Sequence, residues 1–142
     1  MTAIKSPHSY GKKEKLKSRK QIGQLFSAGK TIVAFPLKAI YAWQQDAEET
    51  VQAGVTTSSR QFKKAVDRNR VKRILREAYR LNKPVLIESL QQKEKKLIIF
   101  FIFLGKELPV FEEVNDKMKY VLGKLVKEVV KISADETTAT GT

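Results

Sequence analysis

The sequence predicts an α/β domain, an α+β two-layer sandwich. Its elements run helix, strand, strand, helix, strand, helix, with a mixed sheet of about four strands. Three observations predict it. Apolar residues recur at helical spacing in three separate stretches, near the start, in the middle and toward the end. Two stretches rich in β-branched and aromatic residues, Thr31 to Trp43 and Val51 to about Ser58, precede the middle helix. Between the last two helices lies Leu97 to Leu104, an uninterrupted apolar run of strand length, suited to a central strand covered on both faces.

Residues 1–10 show no periodicity and are expected to be a flexible lead-in, with His8 isolated among them. Lys12, Lys13, Lys15, Lys17, Arg19 and Lys20 then form a basic cluster that suits either solvation or phosphate contact. Ser18-Arg19-Lys20-Gln21 has capping-box spacing, serine with glutamine three residues on. A short helix should follow, with Ile22, Leu25 and Phe26 on one side, stopping near Gly29 in a left-handed cap. Two roles stay open for Phe26: packing in the core, or a wall on which an unpaired base stacks.

Thr31 to Trp43 reads as one strand, and Pro36 within it requires a sheet edge or a bulge. Gln44 to Thr50 is a polar loop, so this strand and Val51 to Ser58 are expected to pair antiparallel across it. Gly54 marks a position where close backbone approach is expected. Asn82-Lys83-Pro84 is expected to end the middle helix, with Val85 to Gln92 a further short helix. Pro109 suits the first turn of a long helix to about Ile132, whose seam is Phe111, Val114, Met118, Val121, Leu122, Leu125 and Val129. The lysines of that helix read as solvating. Residues 133–142 read as a disordered polar tail, leaving residues 11–132 as a single domain.

The middle helix carries the chemistry. From about Val66, residues Val71, Ile74, Leu75 and Ala78 fall at i, i+3, i+4, i+7 and make one apolar stripe. Asn69, Arg73, Arg76 and Arg80 form a second row on the opposite side, flanked by Arg68, Arg70 and Lys72 and preceded by Arg60, Lys63 and Lys64. Only Asp67 and Glu77 oppose them. Solvated helix faces usually mix signs, because like charges at i, i+4 repel. Arginine also predominates over lysine, and its planar fork grips phosphate in two places at once. This face is built for a polyanion.

Composition points the same way. The chain has 142 residues, a formal charge of +13 and no cysteine, with a pI near 10.0. Disulfides and thiolate metal sites are excluded, in keeping with a reducing cytoplasm. The charge favours a nucleic-acid partner over an acidic protein or small substrate. No apolar run is long enough to span a bilayer. The sequence offers no glycine-rich phosphate loop and no paired carboxylates beside the basic surface, so no residue here is assigned as catalytic or metal-ligating. A binder that assists chemistry performed elsewhere fits best.

Ala65-Val66-Asp67-Arg68-Asn69-Arg70-Val71-Lys72-Arg73, followed by Leu75-Arg76-Glu77-Ala78-Tyr79-Arg80, resembles the RNR signature of the bacterial ribonuclease P protein component. Supporting similarity extends from about Leu16 to about Val130. The resemblance implies a left-handed crossover at the basic helix, where a right-handed one would be the default. It also implies a role as the protein subunit of an endoribonuclease whose catalytic subunit is RNA. That RNA, using magnesium that it mainly holds itself, removes the 5′ leader from precursor tRNA in the cytoplasm, with no further protein partner required. By the resemblance, Arg68, Asn69, Arg70, Lys72, Arg73 and Arg76 face the catalytic RNA, with Arg80, Lys63 and Lys64 alongside. Phe26, Lys38 and Arg60 face the leader. The chain departs from the family at Ile22, near which many relatives carry an aromatic, and at Ser58-Ser59-Arg60, where they usually carry Ser/Pro-Lys-Lys/Arg, so that only Arg60 keeps a charge there. A ribosomal or RNA-chaperone protein, or a DNA-binding architectural protein, would share the charge and the fold type.

Overall fold

The computed structural model describes Lys15 and residues 19–44, 49–58 and 60–140, with 132–140 described as backbone only. The elements are α1 (Arg19–Ala28), β1 (Lys30–Ala34), β2 (Leu37–Trp43), β3 (Val51–Thr57), α2 (Ala65–Gln92), β4 (Leu97–Phe103) and α3 (Phe111–Thr140). The four strands form one mixed sheet in the order β1-β2-β4-β3. β2 is antiparallel to β1 and to β4, while β3 and β4 are parallel neighbours joined through α2. The expected lead-in and Ser18 lie outside the described residues.

Four expectations about the elements are corrected. The stretch from Thr31 to Trp43 is two strands, because Phe35 and Pro36 form the two-residue tip of a hairpin, joined by a cis peptide. Proline lacks the N–H a strand interior needs, and here the turn uses that lack. The second correction concerns pairing: the strands either side of the polar loop do not pair, since β4 sits between β2 and β3. The sequence Leu-Ile-Ile-Phe-Phe-Ile-Phe leaves β4 no face to give to water, so the middle of the sheet suits it.

Third, α2 does not stop at Pro84 but continues to Gln92. Its buried stripe runs unbroken through Val71, Leu75, Ala78, Tyr79, Lys83, Leu86 and Leu90, so packing on both sides of the proline outweighs the one lost hydrogen bond. Asn82 reinforces that turn, its Nδ2 donating to Ala78 O and to Asn115 Oδ1 of α3, each at 2.7 Å. The fourth correction is at the other end of the chain, where the α3 backbone passes Ile132 and stays helical to Thr140.

Gly29 does follow α1, but without a left-handed conformation. Its need is space: a Cβ there would lie 2.5 Å from Leu25 O and 2.7 Å from Ile40 Cγ2.

Strand alternation divides the interior in two. Leu37, Ala39 and Tyr41 of β2, Val51 and Ala53 of β3, and Leu97, Ile99, Phe101 and Phe103 of β4 face α2 and α3 in the main core. Ile40, Ile98 and Phe100 point the other way and meet Leu25 and Ile22 of α1 in a smaller cluster. One face of the sheet is thus fully covered, and the other is covered by a single ten-residue helix. Among the described residues no helix is long and apolar enough to cross a membrane.

Candidate nucleic-acid interface

Two surfaces emerge, on opposite sides of the sheet. The first is the outer side of α2. Val71, Leu75, Ala78 and Tyr79 are buried against the main core, and this fixes the helix rotationally. Asn69, Arg70, Arg73 and Arg76 are consequently exposed, as are Lys63 and Lys64 just before the helix, while Lys72 is half-buried. The structure brings these groups to one face, as the spacing predicts.

Two arginines of the set differ. The Arg68 Nη1 donates to the carbonyls of Phe62 and Lys63, both at 2.8 Å. Phe62 is itself buried beside Phe103, ring centroids 6.1 Å apart. Arg68 therefore fastens the segment carrying Lys63 and Lys64 to the start of α2. Arg80 is paired with Glu77 at 2.5 Å, Nη2 to Oε1. The hydrogen bond from Arg80 holds the Glu77 carboxyl below its ordinary pKa and raises that of the guanidinium. The pair is open to solvent, so it contributes little to folding. Its effect is to draw Arg80 away from the free cationic row.

These differences carry an expected result. Arg68→Ala removes two charge-assisted bonds to the Phe62 and Lys63 carbonyls and costs about 1–3 kcal/mol of folding stability, measured by urea unfolding. A loss as small as that of an exposed arginine would show that the fastening is not energetically real.

The second surface is the half-open face of the sheet. Phe26 of α1 is 50% exposed and meets Phe100 edge-on, centroids 5.6 Å apart and planes at 71°. One strand pair further on, cross-strand register sets Val33, Lys38, Ile102 and Thr56 side by side on the same face. Lys38, Ile102 and Thr56 are half-buried, and Val33 is exposed. Together they make a groove beside α1 with an aromatic wall, an apolar floor and one cation. Phe26 packs and remains accessible, so both roles left open by the sequence are compatible with its position. Arg60 lies beyond the end of β3, exposed, its backbone N–H donating to Ser58 Oγ at 3.0 Å. It stands at the sheet end toward which the groove runs.

Val33, Phe100 and Ile102, which border the groove, are not among the residues singled out from the sequence. For Phe100 and Ile102 the signal was the alternation inside Leu97 to Phe103, hidden because every residue of that run is apolar.

Among the described residues no group of three or more histidine, cysteine, aspartate or glutamate side chains converges to hold a metal ion.

The sequence profile of the Ribonuclease P family matches residues 10–126. The ribonuclease P protein component of Porphyromonas gingivalis is 36% identical over 127 residues, covering 87% of this chain and 93% of its own. That of Chlorobaculum tepidum is 26% identical over 136 residues, covering 89% and 88%. Among solved structures, the Staphylococcus aureus RNase P protein superposes with a TM-score of 0.63 over 78% of this chain and 93% of its own. At 15% identity that likeness bears on the fold alone.

Proposed function

Because the chain belongs to the ribonuclease P protein component family and is the protein subunit of the endoribonuclease that matures tRNA, we propose that it grips two RNAs with its two surfaces. The outer row of α2 binds the catalytic RNA. The groove between α1 and the sheet holds the 5′ leader of precursor tRNA. The observation that carries this reading is the exposed row of Asn69, Arg73 and Arg76 on a helix whose other side is fully buried.

A rigid helix sets the arginines at fixed intervals, so they position phosphates with little side-chain ordering left to complete. The groove works differently. Aromatic and apolar surface accepts any base by stacking, so leaders of varied sequence can occupy it, while Lys38 and Arg60 attract their phosphates. Cleavage itself is assigned to the RNA, with magnesium held mainly by that RNA. Among the described residues no donor set fits a magnesium centre, so no step of the cleavage is routed through them. A cytoplasmic ribonucleoprotein follows from the same reading.

Reconstitution tests it. Added to ribonuclease P RNA at low magnesium, the protein should raise cleavage of precursor tRNA, and an unrelated basic protein of similar charge should not. Equal stimulation by both would favour a general RNA chaperone. Phe26→Ala should weaken binding of precursor carrying a leader by roughly tenfold, from about 1–3 kcal/mol per stacked base. Mature tRNA should bind the variant as it binds the wild type. Equal losses for the two RNAs would return Phe26 to a purely packing role.

A further inference from the structure

We propose that a notch at the tip of the β1–β2 hairpin is a pocket for one unpaired nucleobase, the neighbour of the bases lying in the groove. The proposal rests on the leader reading above and extends it beyond the groove. The notch has a volume of about 410 Å³ and lies between the hairpin tip and the β4–α3 connection. Phe35, Pro36, Leu104 and Leu108 form its apolar walls, and its charged lining is Lys106 with Glu107 and Glu113. Phe35 is 66% exposed and Leu108 41%. A large aromatic ring left in water at a hairpin tip contributes nothing to the core, and exposed apolar clusters of this kind mark contact sites.

The walls are fixed in place. Leu104 N–H donates to Pro36 O at 2.7 Å, which ties the β4–α3 connection to the hairpin tip. Gly105 lets the chain fold over the Phe103 ring, since a Cβ there would sit 2.5 Å from Phe103 Cζ. A pocket formed before its ligand arrives loses less on binding than one that must be assembled.

Its place in the fold selects the occupant. Phe100 lies beneath Phe26, Ile102 and Lys38 are one strand pair further on, and Pro36 is in the turn just past the last pair of the β2–β4 ladder, Leu37 with Phe103. Same-side positions along a strand advance about 6.6–6.8 Å, so the notch lies past the sheet end toward which the groove runs, where Phe103 and Glu113 of the helix-covered side also line it. Lys38 on one side and Lys106 on the other can meet the phosphates flanking a base, on a chain whose net charge is +13. Glu113 disfavours a phosphate inside the notch. Its carboxylate can accept a hydrogen bond from the amino group of a base, whose ring stacks on Phe35.

The test uses holoenzyme reconstituted with wild-type, Phe26→Ala, Phe35→Ala or Phe35→Trp protein. Each is titrated with precursor tRNAs in which a single abasic nucleotide is moved one leader position at a time. An abasic nucleotide keeps the phosphate and removes only the base. With wild-type protein, two leader positions, separated by the one lying over Ile102 and Lys38, should lose about tenfold in affinity when abasic. Phe26→Ala should abolish the sensitivity at one position, Phe35→Ala at the other, and Phe35→Trp should preserve both. Unchanged urea unfolding of Phe35→Ala, expected for so exposed a side chain, excludes misfolding as the cause. If Phe35→Ala gives the wild-type profile while Phe26→Ala loses its position, the notch is not a base pocket and the groove reading stands. If Phe26→Ala also leaves the profile unchanged, the leader reading fails, and the pocket with it.

Discussion

Replacing Arg73 and Arg76 together by alanine lowers affinity for ribonuclease P RNA by roughly thirtyfold or more, on the basis of about 1–2 kcal/mol for each charge-assisted contact. The salt dependence changes too. With about five phosphate contacts, log K falls against log salt with a slope of roughly −3.5 to −4.5, and losing two contacts makes it shallower by about 1.4–1.8. Both side chains are exposed on a helix held by its other face, so folding stability should move by less than about 0.5 kcal/mol. Filter binding or fluorescence titration at several salt concentrations measures all of this. An unchanged slope would remove the outer face of α2 from RNA binding.

Phe101→Ala has the opposite profile, with a loss of about 3–5 kcal/mol in folding stability. The ring is fully buried at the centre of the sheet and packs on Tyr79 of α2 at a centroid distance of 5.4 Å. Its removal leaves a cavity that strands and helices on two sides cannot both collapse to fill. The measurement is the urea midpoint of the free protein. Binding of the RNA by the remaining folded fraction should be near normal, because no cation of the α2 row is touched. A loss under about 1 kcal/mol would contradict the packing described for the main core.

The two substitutions also mark what could be read from the residues beforehand. The arginine row was legible because helical periodicity alone puts Asn69, Arg73 and Arg76 on one side and Val71 and Leu75 on the other. β4 was legible as a buried strand from composition. Its alternation was not, since Ile98, Phe100 and Ile102 differ in no obvious way from Ile99, Phe101 and Phe103. The groove floor stayed hidden for that reason. Pro36 and Pro84 show the limits of local rules in another way. Each predicts a disturbance, but the surroundings decide its form: a hairpin tip for Pro36, and a helix carried through by packing for Pro84. The capture of Arg80 by Glu77 and the anchoring by Arg68 depend on rotamers and loop path, which spacing does not encode.

β4 sends Phe101 toward α2 and Phe100 toward α1, so a single strand backs both surfaces proposed to meet RNA. Two polyanions brought within a Debye length, about 8–10 Å, repel one another. On the proposed reading, a slab one helix and one sheet thick would act as a spacer that holds them at a set separation. Thickening or thinning that slab, for instance by overpacking between α2 and β4, would shift the leader relative to the catalytic RNA without touching a single contact to either.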